Sequence, residues 1–162
     1  MKRVYSIRDF KHYTMLKQVL RDLELVDKNY LWLISDMEAY PGKEKYKSMV
    51  QKDYLLLSTT ELVNMLEEDD FQWVWAVFSA IPLHYKKEDI LKFDLPYIQE
   101  LKDDYNPYED EPKIQHPYAE FEIYAVDSSY MFLISDNEEL IERFKKSYPL
   151  YKNSIDFLGD DK

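Results

Sequence analysis

The clearest pattern of apolar and polar positions lies in residues 118–148. Every second residue from Phe121 to Ala125 is apolar, while Glu122 and Tyr124 stand between them. This alternation is typical of a strand with one face on the core and the other toward solvent. The pattern therefore predicts that Glu122 and Tyr124 point outward.

A second strand and a helix are predicted directly after this first strand. Residues 130–134 form an apolar run beyond a turn of Asp and Ser residues. Ser135 and Glu138 have the S-x-x-E spacing of a capping box, in which each side chain bonds a backbone N–H of the first helical turn. An apolar stripe continues to Tyr148, and Pro149 is expected to end the helix.

The N-terminal third contains further elements of both periodicities. Ser6 and Asp9 resemble a helix cap, and apolar residues recur at threes and fours over residues 7–25, which predicts an amphipathic helix. Residues 30–34 are aromatic and branched, which favours a strand. Residues 43–52 predict a lysine-rich loop.

The same strand-and-cap arrangement is expected further along the chain. Residues 54–57 are apolar, and Ser58 with Glu61 again matches a capping box. The acidic run at residues 66–70 predicts that this helix is short, because negative charge is unfavourable near a helix C-terminus.

The most apolar run of the chain is residues 71–81. It predicts a central strand buried on both faces, with Trp73, Trp75 and Val77 on one of them. A short helix is expected within residues 83–95.

Together these elements predict one α+β domain over residues 1–162. We expect a mixed, mainly antiparallel sheet of about five strands with about three helices packed on it. Residues 97–118 predict a long loop rich in acids, tyrosine and proline, and residues 159–162 predict a short flexible tail.

The amino-acid composition excludes several classes of functional site. The chain has no cysteine, which excludes disulfides and thiolate sites and fits a cytoplasmic location. No signal peptide or bilayer-spanning apolar run is found, so no membrane association is expected.

Charge is distributed unevenly along the chain. The formal net charge is −11, and residues 53–162 alone sum to −15. Such a surface repels nucleic acid and attracts basic partners. Solubility alone is the competing explanation of the acidity.

No residue pattern indicates a reaction. His12, His84 and His116 have no partners at metal-ligand spacing, and each is expected at the surface or in packing. Nucleotide-binding and nucleophile motifs are absent. We therefore expect no catalytic residues, no metal and no cofactor.

The strongest candidate site is the acid and tyrosine loop. Its carboxylates suit Lys and Arg side chains, and its tyrosines offer large, rigid contact area. The candidate partner-binding residues are Asp103, Asp104, Tyr105, Tyr108, Glu109, Asp110 and Glu111. A disordered acidic linker is the alternative interpretation of the same residues.

In size, acidity, lack of cysteine and mixed α/β pattern, the chain resembles the small immunity proteins of bacterial toxin systems. The resemblance implies a non-enzymatic protein that neutralises a cognate toxin, such as a basic nuclease. It carries over no individual site residue, because these families differ in fold. A nucleic-acid mimic, a regulatory or structural module and an enzyme with a concave polar pocket are the alternatives.

Overall fold

The computed structural model describes residues 2–7, 14–100, 106 and 111–153, with side chains from residue 14 onwards. The elements are, in chain order, β1 Lys2–Ile7, α1 Leu16–Asp22, β2 Tyr30–Ala39, α2 Glu44–Met49, β3 Tyr54–Ser58, α3 Thr59–Glu68, β4 Trp73–Pro82, α4 Lys87–Ile90, β5 Phe121–Val126, β6 Tyr130–Ser135, α5 Glu138–Ser147 and β7 Lys152–Asn153. The strands form one sheet in the order β3-β2-β4-β5-β6-β1-β7. All its described pairings are antiparallel.

The α+β class and the antiparallel character of the sheet are confirmed. The five strands predicted from the sequence are present as β2 to β6, and β1 and β7 extend the sheet on one side. The tail predicted at residues 159–162 lies outside the described residues.

The N-terminus differs from the prediction. Ser6 lies in β1, so it does not cap a helix, and the helix expected over residues 7–25 is confined to α1 within the described part of the chain. Asp9 lies outside that part. The full length of β1 pairs with β6, from Lys2 opposite Ser135 to Ile7 opposite Tyr130. Long-range strand pairing overrides the local helix signal here.

The lysine-rich loop predicted at residues 43–52 is also wrong, because this segment contains α2. Tyr46 and Val50 are buried against the core and hold the segment in place. Lys45 lies 2.6 Å from Glu68 at the end of α3. A single buried aromatic and an ion pair give this short helix its contacts.

Most helices pack on one face of the sheet. Phe121, Ile123 and Ala125 meet α1, α3 and α5 in the main core cluster, as the alternation predicted. The opposite face is not open to solvent. The segment between β4 and β5 covers it, with Ile98 packed against Tyr124 and its neighbours and Ile90 packed against β2 and β4.

β4 confirms the predicted interior strand, since it pairs with β2 on one side and β5 on the other and buries residues on both faces. Trp73 does not share a face with Trp75 and Val77, however. Trp73 lies in the main core, and the other two lie on the opposite face. Register shifts in the pairing with β2 near Glu38 break the strict alternation.

The capping box at α3 is confirmed. The N–H of Glu61 donates to Ser58 Oγ at 3.1 Å, and the N–H of Ser58 donates to Glu61 Oε2 at 2.8 Å. The box predicted at Ser135 is wrong. Ser135 is buried at the end of β6, and Asn137 caps α5 by accepting from the N–H of Leu140.

The acidic end of α3 does not shorten the helix, which continues through Glu67 and Glu68. Neighbouring cations offset the unfavourable charge, with Lys17 and Arg21 at Glu67 and Lys45 at Glu68. Hydrogen bonding to Lys45 lowers the pKa of Glu68 to about 2. Ion pairs that the sequence does not reveal therefore offset part of the unfavourable charge at the end of α3.

We expect Ser58→Ala to lower the free energy of unfolding by about 1 kcal/mol, because the Glu61 N–H loses its acceptor. Ser48→Ala is the matched control, since the exposed Ser48 hydroxyl bonds only a carbonyl of its own helix. Urea unfolding measures both variants. A loss at Ser58 no larger than that at Ser48 would contradict the capping role.

Candidate functional site

Only one of the predicted partner-binding residues lies in the part of the chain that the structure describes. Glu111 is described and exposed. The residues outside that part are Asp103, Asp104, Tyr105, Tyr108, Glu109 and Asp110. What the structure describes is the base of the loop, where its two ends meet the sheet.

The first end is fixed by Asp36, at an irregular point of β2. One carboxylate oxygen of Asp36 accepts from the N–H groups of Ile98 and Gln99 at 2.6 and 2.7 Å. The other accepts from Gln99 Nε2 at 2.9 Å. Asp36 has a φ of 52°, a left-handed conformation that Asp tolerates better than most residues. This backbone conformation accompanies the register shift in β2 and directs the carboxylate at the loop.

Ser35 adds a second contact to the same end. Its buried hydroxyl donates to the carbonyl of Pro96 at 2.7 Å. Ile98 is then buried among Val77 and Tyr124 on the covered face of the sheet. The first end of the loop is thus held by hydrogen bonds and by an apolar contact.

The second end is fixed by Glu122, which is fully buried in β5. Its carboxylate accepts from the backbone N–H groups of Gln115 and His116 at 2.9 and 3.0 Å. Ser79 and Tyr124 donate their hydroxyl groups to it at 3.0 and 3.1 Å. Burial raises the pKa of the Glu122 carboxyl, and these four hydrogen bonds oppose the rise.

Gln115 joins the two ends to each other. Its side-chain oxygen accepts from the N–H of Tyr97 at 2.9 Å, and its side-chain nitrogen donates to the carbonyl of Tyr97 at 2.9 Å. The same nitrogen lies 3.0 Å from the hydroxyl of Tyr124. The loop between Tyr97 and Gln115 is therefore closed at its base, because its two ends are bonded to each other.

His116 continues this network away from the loop. Its Nε2 lies 2.9 Å from the carbonyl of Ile90, and its Nδ1 accepts from the N–H of Tyr118 at 3.1 Å. These partners fix the neutral imidazole with the proton on Nε2. Tyr118 stacks on Tyr85 with ring centroids 3.9 Å apart. His116 is a packing residue, as expected from the sequence.

We expect the stabilising contribution of His116 to disappear in acid. Burial lowers its pKa below the ordinary value of 6.5, so the unfolded chain takes up the proton first as the pH falls. The contribution is complete above pH 6.5 and declines below it. Unfolding wild type and His116→Gln in urea from pH 7.5 to 5 should show the difference between them shrinking. A difference that grows toward pH 5 would contradict the assigned tautomer.

Sequence reasoning missed four residues that form this base, namely Asp36, Gln115, Glu122 and Ser79. Gln115 and Ser79 carry no signal in the sequence. Glu122 carries a weak one, since an acid between apolar and aromatic neighbours fits a buried, hydrogen-bonded carboxylate as well as an exposed one.

The base itself shows the geometry of a support. The oxygens of Glu122 are occupied by donors of the protein, and no surface opens onto them.

Across the described ranges, no group of three or more His, Asp or Glu side chains is placed to hold a metal ion. A shallow cavity of about 500 Å³ lies beside the first end, lined by Asp36, Tyr97 and Gln99 among others. In those same ranges, no helix is long and apolar enough to span a bilayer.

Fold and site together define only a structural class, an α+β domain in which both ends of the acidic segment 97–118 are hydrogen-bonded to the sheet. Comparison with protein family models, with curated proteins and with solved structures finds no match.

Proposed function

We propose that this chain is a non-enzymatic binding protein of the immunity type, which neutralises a cognate bacterial toxin. The loop between Tyr97 and Gln115 is the proposed interface. A basic protein, such as a nuclease, is the partner whose surface charge complements it. The observation that carries the proposal is the closure of this loop at its base by Gln115.

The acidity of the loop supports a basic partner. Residues 97–118 contain six carboxylates and two lysines, and the chain around them is also acidic. Long-range attraction between such a surface and a basic protein raises the association rate and makes it depend on salt.

The anchoring of the loop supports binding rather than a linker role. A linker needs no fixed ends, whereas both ends of this loop are bonded to the sheet and to each other. Holding the ends together removes part of the conformational entropy that a free segment loses on binding. Tyr105 and Tyr108 are the proposed aromatic contact residues.

The first test uses the product of the open reading frame next to this gene. We expect that product to inhibit growth when expressed alone and to be harmless when this chain is expressed with it. The purified proteins should form a complex that weakens as salt is raised. A neighbouring toxin that does not bind this chain at low salt would overturn the proposal.

The second test locates the interface. Changing five of the six acids of the loop, Asp103, Asp104, Glu109, Asp110 and Glu111, to Asn or Gln should weaken binding by at least about a hundredfold, since each interfacial charge pair contributes roughly 1 kcal/mol or more. The matched control changes five exposed acids elsewhere to the corresponding amides, namely Glu24, Glu44, Asp127, Glu139 and Glu142. Its affinity should stay within about threefold of wild type, because rim charges far from a contact contribute little. Equal losses in both variants would indicate that net charge alone drives association.

A further inference from the structure

One edge of the sheet is formed by β3, whose Tyr54 pairs with Ser35 beside the first end of the loop. Within the ranges that the structure describes, β3 pairs with β2 and with no other strand. The backbone groups of Tyr54–Ser58 that point away from β2 have no described strand opposite them. Such an edge is a template for an additional strand.

A groove of about 620 Å³ follows this edge. Residues 54–57 of β3 line it. Its lining also includes Met49 at the end of α2, Lys52 in the turn that follows, and Lys87 at the start of α4. An extended peptide can lie along such an edge, with its backbone parallel to the strand.

The centre of the edge is apolar on both of its faces. Leu55 is buried in the main core cluster, and Leu57 packs partly against the same cluster. Leu56 and Tyr54 pack partly against the cluster on the opposite face. A strand added here therefore gains apolar neighbours above and below the sheet, and its central residues should be apolar.

Two lysines, Lys52 and Lys87, line the groove. They have no carboxylate within ion-pair distance among the described residues, whereas Lys43, Lys45 and Lys47 nearby are all paired. Of the described residues, Asp53 is the one acid that lines the groove. In a chain of net charge −11, this local excess of positive charge favours carboxylates in an occupant.

The same lysines disfavour a second copy of this chain as the occupant. A symmetric pair of β3 edges would bring Lys52 and Lys87 of two copies together, and each copy also carries a net charge of −11. Lysines beside an edge strand act in this way to prevent self-pairing. An acidic partner, in contrast, is attracted by the same two lysine side chains.

We propose that the β3 edge binds an extended peptide segment of another protein, with an apolar centre and acidic flanks, as an added strand. Main-chain hydrogen bonds to Tyr54–Ser58 supply affinity, the leucines select the centre, and Lys52 and Lys87 select the flanks. The residues that form this surface are different from those proposed for the loop interface, and the inference does not depend on the function proposed for that loop.

The test selects peptides from a random library of twelve-residue sequences, using the full chain as bait. The affinity of the best peptide is then measured by fluorescence anisotropy for three proteins. These are the wild type, the double variant Lys52→Glu/Lys87→Glu and the double variant Lys28→Glu/Lys146→Glu. The last variant changes net charge by the same amount at two exposed lysines that do not line the groove. Circular dichroism checks that both variants fold, and hydrogen exchange locates the bound peptide.

We expect selected peptides with Asp or Glu on both sides of an apolar centre. The groove variant should lose at least about tenfold in affinity, the control should stay within about twofold, and the amides of Leu55 to Leu57 should gain protection. The proposal would be overturned if no binding peptide is recovered, if the recovered peptides lack acidic flanks, or if both variants lose affinity equally. Sedimentation showing that copies of the chain pair through β3 would also overturn it.

Discussion

Replacing Glu122 with leucine is expected to lower the free energy of unfolding by about 3–5 kcal/mol. The substitution leaves the N–H groups of Gln115 and His116 buried without an acceptor, and each such group costs roughly 1–3 kcal/mol. Ser79 and Tyr124 also lose their acceptor. Leucine fills a similar volume, so the loss reports on hydrogen bonding rather than on a cavity.

Two variants make this result specific. Glu122→Gln keeps one acceptor oxygen but places an amide N–H against one of the two backbone donors, so we expect an intermediate loss. Glu120→Leu changes an exposed acid two residues away, whose described partner is the hydroxyl of Tyr30. It should cost less than about 1 kcal/mol. If Glu122→Leu falls within about 1 kcal/mol of wild type in urea unfolding, the carboxylate does not hold the loop.

Replacing Asp36 with alanine is expected to cost about 2–4 kcal/mol and to open the first end of the loop. Three donors lose their acceptor, two of them backbone N–H groups of Ile98 and Gln99. Alanine also tolerates the left-handed backbone at this position less well than aspartate does. Hydrogen exchange at Ile98 and Gln99 should rise well above that of the sheet.

Asp36→Asn separates these two causes. Asparagine accepts the left-handed backbone and keeps one acceptor oxygen, so we expect roughly half of the loss seen with alanine. Asp53→Ala is the matched surface control, at an exposed acid without a described hydrogen bond or ion pair, and it should stay within about 0.5 kcal/mol of wild type. Unchanged exchange at Ile98 in Asp36→Ala would show that the loop end is held by packing alone.

The caps show how far local sequence determines local structure. Ser58 and Glu61 form the predicted box, with Ser58 at the partly exposed end of the edge strand β3. Ser135 has the same spacing to Glu138, yet it ends a buried strand and accepts from the N–H of Asn137. Asn137 is then the better placed cap, and the S-x-x-E spacing alone does not distinguish the two cases.

The prediction that Glu122 and Tyr124 of β5 face solvent was wrong, and for this reason the base of the loop could not be predicted from the sequence. The alternation correctly placed Phe121, Ile123 and Ala125 on the core. It also placed Glu122 and Tyr124 in solvent, because a period of two gives the faces of a strand but not what covers them. The covering segment comes from elsewhere in the chain, and Gln115 and His116 make a carboxylate tolerable beneath it.

The short elements depend on partners distant in sequence. β1 forms against β6, and α2 is held by the burial of Tyr46 and by ion pairs to the end of α3. The periodicity of apolar residues within a short window predicts neither the pairing of β1 with β6 nor the contacts of α2 with α3. The strands β2 to β6 were predictable because each has a local signal, which is an apolar run in β2, β3, β4 and β6 and a period-two alternation in β5.

Hydrogen exchange of the complex with the neighbouring gene product tests the central proposal most directly. Exchange is followed by mass spectrometry on the free chain and on the complex, at the same pH and salt. We expect protection on binding to be concentrated between residues 97 and 118, and to be lost in the variant in which five loop acids are neutralised. Protection confined to other segments, such as the β3 edge, with residues 97–118 unchanged, would contradict it.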